Sequence, residues 1–127
     1  MTSDDPGEAA AEVTRLVESH RFTEPGESAL QAAIARLLRE AGIPSEREHG
    51  LGPGCRVDFF LPAPGLAVEV KVAGSPSGVV RQLLRYAERE SVRAIVLVTT
   101  RRSMAAKMPR TLLGKPLACA LAQAGLA

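Results

Sequence analysis

Two carboxylates and a lysine stand inside an apolar stretch: Val57-Asp58-Phe59-Phe60-Leu61, a Pro/Gly turn, then Ala67-Val68-Glu69-Val70-Lys71-Val72. Side chains of a strand point alternately to its two faces, so Leu66, Val68, Val70 and Val72 share one face and Glu69 and Lys71 the other. Charge inside an apolar strand is costly unless something pairs with it. A divalent cation held by Asp58 and Glu69 removes that cost and creates a hydrolytic site. Phosphodiester hydrolysis needs such a hard cation to activate water and to stabilise charge on the phosphate. Mg²⁺ takes oxygen ligands, usually one or two carboxylates with waters and substrate oxygens. The carbonyl of Val70 adjoins the same spot. Lys71 is placed to orient the attacking water or to neutralise developing charge. The alternative is an ordinary Glu–Lys pair on a solvated sheet face.

The elements that would position these groups follow from periodicity and punctuation. A helix is expected over about 5–20, with Val13, Leu16 and Val17 as its stripe, and a second over 26–41, carried by Leu30, Ile34, Leu37, Leu38 and Ala41. Gly42 and Pro44 stop the second helix. A short polar edge strand follows at 45–51, then the turn Gly52-Pro53-Gly54 and a strand at 55–61. Pro62-Ala63-Pro64-Gly65 connects to the strand at 66–72. Ser75 reads as the cap and Pro76 as the first residue of a helix over 76–90. Ala94-Ile95-Val96-Leu97-Val98 is the continuous apolar run of a strand covered on both faces. Strand 66–72, helix 76–90 and strand 92–99 then form a right-handed βαβ unit. Residues 101–127 read as a basic helix or loop to about Leu113, then a last strand or helix from Leu117.

A helix, antiparallel strands carrying Asp and then Glu-x-Lys, a helix and a buried strand together resemble the PD-(D/E)xK nuclease superfamily. The pattern covers about residues 24–100. Asp58 takes the place of the first acidic residue, Glu69 the second and Lys71 the lysine, while Arg56-Val57 replaces the proline position. The resemblance implies an α/β, restriction-endonuclease-like core: a mixed central sheet, antiparallel hairpin plus βαβ unit, flanked by helices. It implies a Mg²⁺- or Mn²⁺-dependent deoxyribonuclease, with DNA favoured over RNA and a homodimer as the common assembly. A glutamate on the preceding helix often adds to the metal site, and Glu27 matches best, with Glu24 second; a first-turn carboxylate complementing the helix dipole is the plainer account. Gln82 and Tyr86, four apart on one helix face, resemble the Gln-xxx-Tyr feature of RecB-type members. There the glutamine approaches the active site and the tyrosine positions DNA or supports the fold.

Composition is compatible with this reading. The 127 residues suit one domain with a sizeable core. Net charge is only +2, yet residues 1–30 carry seven carboxylates against Arg15 and Arg21. Residues 81–115 carry nine basic side chains against Glu88 and Glu90. Such asymmetry fits a polyanion-facing half. Arg81, Arg85 and Arg89, repeating every fourth residue, and Arg101 and Arg102 are the expected nucleic-acid contacts. Cys55 and Cys119 read as reduced thiols of a cytoplasmic protein. No apolar run is long enough to cross a membrane, the acidic start lacks a secretory pattern, and no organic-cofactor motif is present. His20 and His49 have no metal-ligand spacing, although His49 could approach the site from the edge strand. Neither Gly52-Pro53-Gly54 nor Gly114-Lys115-Pro116 has the rest of a phosphate-binding loop. A binding or assembly subunit that keeps the fold without cutting, and an interaction protein with a purely structural Glu69–Lys71 pair, are the competing readings.

Overall fold

Asp5 opens the first helix, α1 (Pro6–Glu18), by accepting a hydrogen bond from the Glu8 N–H at 2.9 Å, and Pro6 presets its first turn. The computed structural model describes residues 3–124. After α1 come β1 (Arg21–Phe22), α2 (Glu27–Glu40), β2 (Glu46–Gly52), β3 (Cys55–Leu61) and β4 (Leu66–Val70). Then follow α3 (Pro76–Ala87), β5 (Ala94–Thr99), α4 (Arg102–Ala106), β6 (Thr111–Leu112), β7 (Lys115–Leu121) and β8 (Gln123–Ala124). Ser75 caps α3 by accepting from the Gly78 N–H at 3.1 Å, as the Ser-Pro pair implies.

Six strands form one mixed, open sheet in the order β2-β3-β4-β5-β7-β6. The pairs β2–β3 and β3–β4 are antiparallel, β4–β5 and β5–β7 parallel, and β6 returns antiparallel on β7. Both β4 and β5 are buried along their whole length, as strands covered on two faces must be. One face packs Val68, Val70, Val96 and Val98 against Val13 and Val17 of α1 and Ile34 and Leu38 of α2. The other packs Ala67, Ile95 and Leu97 against Leu83 and Tyr86 of α3 and Met104 of α4. Alternation therefore directs Glu69 and Lys71 to the α3 side, between the helix and the sheet. Gly65 joins β3 to β4 with φ +74°, and a Cβ there would meet the Ser91 carbonyl at 2.8 Å. Its own carbonyl accepts from the Arg93 and Ala94 N–H groups, which sets the start of β5 beside β4.

Several expected boundaries move. The first helix stops at Glu18 and α3 at Ala87, so Arg89 lies beyond the helix and the every-fourth-residue stripe is broken. Strand β4 ends at Val70, although the Lys71 N–H still reaches the Val98 carbonyl at 2.9 Å. The C-terminal region is largely β: a five-residue helix, then the β6–β7 hairpin, with β7 beginning at Lys115 rather than Leu117. A small parallel ribbon, β1 with β8, was not expected. Among the described residues no helix is long and apolar enough to cross a membrane.

Candidate active site

The site is built where the β3–β4 ladder opens. Backbone pairing between these strands runs from Leu61↔Leu66 to Phe59↔Val68. At the next step, where Asp58 faces Glu69, side chains replace the ladder. The Asp58 N–H donates to Glu69 Oε1 at 3.1 Å, and the Val70 N–H donates to Asp58 Oδ2 at 2.8 Å. Each strand thus holds the carboxylate of the other by a backbone donor. The cause lies in β3 and its edge neighbour. Cys55, Val57 and Phe60 pack on the α3 side while Phe59 and Leu61 pack on the other, so alternation slips at Asp58. Across the β2 pairing, Glu48 stands opposite Asp58, between Arg47↔Phe59 and His49↔Val57, in the left-handed region at φ +48°. Such local irregularity re-aims a side chain out of the regular pleat.

Helix α3 supplies the second layer. Gln82 Nε2 donates to Glu69 Oε2 at 3.1 Å and contacts the Tyr86 hydroxyl at 2.9 Å. That hydroxyl donates to the Arg56 carbonyl at 2.8 Å, tying the helix to the strand that carries Asp58. Lys71 Nζ lies 3.6 Å from Glu69 Oε2. Glu69 is only 3% exposed, Asp58 is half-buried and Lys71 keeps partial access to solvent.

Burial raises the affinity of both carboxyls for protons. Glu69 is pushed up to about 7, first by desolvation and then by the Asp58 charge, against the opposing Asp58 N–H bond and Lys71. Asp58 is raised by the same desolvation and by the Glu27 charge, and lowered by the Val70 N–H bond and Lys71. Burial and the Glu69 charge raise the Tyr86 phenol as well, so it stays a protonated donor. A buried carboxylate beside a half-buried one favours a proton or a cation between them. Their oxygen donors match the hard-ligand preference of Mg²⁺ or Mn²⁺, so the residues fit a divalent ion.

The remaining expected residues divide. Glu27 Oε1 accepts from the Val72 N–H at 3.4 Å, which places α2 against the end of β4. Among the described residues no three His, Cys, Asp or Glu side chains form a group able to hold a metal ion, so Glu27 does not complete a cluster with Asp58 and Glu69. Tyr86 is buried, with its hydroxyl directed to the Arg56 carbonyl. Arg81 is exposed, but Arg85 donates to the Gly54 carbonyl at 2.6 Å. The Arg89 guanidinium lies over Gly52, where a Cβ would meet it at 2.7 Å. Arg101 donates to the Gly74 carbonyl at 2.8 Å, joining the loops that follow β4 and β5, and Arg102 is exposed beside it. His49 pairs with Glu46 at 2.7 Å and stacks on Phe60 rather than joining the carboxylates. Lys115, not singled out from the sequence, donates to the carbonyls of Ala87 and Arg89 at the end of α3; a lysine has no sequence pattern that announces such a distant cap.

No protein-family model, curated protein or solved structure matches the chain.

Proposed function

We propose that the chain is a metal-dependent nuclease of the PD-(D/E)xK kind, with a restriction-endonuclease-like core acting on DNA. The observation that carries this reading is the reciprocal Asp58–Glu69 pair at an opened ladder, with Lys71 at 3.6 Å. An ordinary surface Glu–Lys pair explains neither the burial of Glu69 nor its backbone donor from the facing strand. The strand sequence, an antiparallel hairpin followed by a parallel βαβ unit, supports the same assignment.

A Mg²⁺ or Mn²⁺ ion at Asp58 and Glu69, with the Val70 carbonyl, would supply Lewis-acid stabilisation and an activated water. Gln82 orients Glu69, and Tyr86 holds Gln82 in turn. Lys71 supplies positive charge beside the scissile phosphate and a donor to the attacking water. Arg81, Arg101 and Arg102 offer contacts to the flanking backbone, where phosphate binding positions the strand without reading sequence. Pairing of two copies would bring two such sites to a duplex.

The test is cleavage of labelled linear, single-stranded, flapped and junction DNA with Mg²⁺ or Mn²⁺, comparing wild type with Lys71→Ala and Asp58→Asn. Metal-dependent cutting reduced about 100-fold or more in either variant is expected. Equal cutting by all three proteins would sink the assignment. Salt-sensitive DNA binding without cutting would instead identify a binding subunit.

A further inference from the structure

A cavity of about 370 Å³ opens past the ends of β4 and β5, on the α2 side of the sheet, within the usual size range of small-molecule pockets, roughly 300–1,000 Å³. Its apolar walls include Phe22, Leu30, Val72 and Ala122, and Glu24 and Thr100 are among its polar ones. Val72 lies two residues past β4, and Thr100 directly follows β5. Open α/β sheets bind ligands in this position, outside the carboxyl ends of their strands. The chain links the cavity to the site: Val72 on its wall follows Lys71 directly, and the Val72 N–H donates to Glu27 Oε1.

We propose that this cavity receives one unpaired nucleobase of the strand being cut, so that the substrate is DNA with an unpaired or flipped nucleotide next to the scissile phosphate. The proposal rests on the nuclease reading and deepens it. Glu24 on the cavity wall and Glu27 close by are anionic and repel phosphate, so the neutral base is the part of a nucleotide that can enter. Apolar walls suit the faces of a base. Its polar edge meets the Glu24 carboxylate, the Thr100 hydroxyl and the first turn of α2, which no side chain caps. Arg101 and Arg102 follow the cavity residue Thr100 in sequence, so positive charge is available to the backbone that must remain outside. A base stacked in a duplex cannot reach such a cavity. Extrusion costs a few kcal/mol, least where the base is already unpaired.

The first measurement is titration of ¹⁵N-labelled protein with deoxyadenosine and deoxycytidine, neither of which carries phosphate. Saturable shifts are expected at the amides of Thr23, Val72, Thr100 and Gln123, retained in Lys71→Ala and lost in Thr100→Trp, which fills the mouth from an exposed position. Absence of these shifts overturns the base site whatever the protein cuts. The second is cleavage of single-stranded oligonucleotides carrying one abasic position, moved stepwise past the cut. One position should cut about tenfold more slowly or worse, in line with the contribution of a single held base. Thr100→Trp should abolish the difference. A uniform rate at every position, with cutting intact, overturns the inference and leaves the nuclease reading standing. Nucleoside binding without any DNA cleavage overturns the nuclease reading instead, and with it the role of the cavity as a substrate subsite.

Discussion

Glu69→Gln should stabilise the metal-free protein at and above neutral pH. The carboxyl rises from an ordinary 4.5 to about 7 on folding, so the native state binds its proton more tightly than the unfolded chain. Stability from this group is therefore fully present below about pH 4.5 and is lost as pH rises through about 7. At about 1.4 kcal/mol for each tenfold change in proton affinity, the loss is about 3 kcal/mol. Across a domain of this size that corresponds to about 10 °C in Tm. The amide keeps an acceptor for the Asp58 N–H and removes the charge.

Urea unfolding in EDTA at pH 5, 6, 7 and 8 measures the effect directly. The two proteins should be close at pH 5, and the variant should lead by up to about 3 kcal/mol at pH 8. Millimolar Mg²⁺ or Mn²⁺ should then recover the wild type at pH 8, because an ion bound only to the folded, deprotonated site adds stability by mass action. It should leave the variant nearly unchanged. Parallel pH profiles for the two proteins would refute the electrostatic account of the site. A wild type indifferent to both metals would refute its use as a metal site.

Two further outcomes test the framework around the site. Tyr86→Phe removes the donor to the Arg56 carbonyl and a partner of Gln82; a loss of about 1–2 kcal/mol is expected in denaturant unfolding, and no loss would detach α3 from the site. Leu113, 61% exposed, occupies a two-residue hairpin turn with Gly114, both at positive φ. Asn tolerates that conformation far better, so Leu113→Asn should stabilise the protein by about 1 kcal/mol, and a drop in stability would contradict the turn geometry.

The sequence made legible those parts that repeat with a period. Helix α2 and strands β3, β4 and β5 carry long apolar patterns, and Ser75-Pro76 marks the start of α3. The end of α3 was not legible, because Glu88-Arg89-Glu90 is as compatible with helix as with the tight turn that the Arg89 N–H makes to the Tyr86 carbonyl. Strands β1 and β8, two residues each and paired across the whole chain, carry no period at all. Strand β7 mixes Lys115, Pro116 and alanines with one buried leucine, so its place beside β5 depends on its neighbours. In the site, residue types and spacing were visible. The slip at Asp58, the left-handed Glu48 opposite it and the burial of Tyr86 were not, since each arises from how strands and helix meet.

That meeting determines how variants at the site must be read. A buried N–H without an acceptor costs about as much as a lost hydrogen bond. Where β3 and β4 part, the missing acceptors are the site carboxylates themselves. Asp58 and Glu69 therefore close the fold and form the proposed site at once, which would couple stability to function. Asp58→Ala would strip the Val70 N–H of its partner, and any loss of activity could follow from a disturbed strand. Asp58→Asn retains an acceptor in the same place while removing the charge a cation needs. Loss of cleavage with unfolding close to wild type in Asp58→Asn would thus report on chemistry, whereas equal loss of both would report on the sheet.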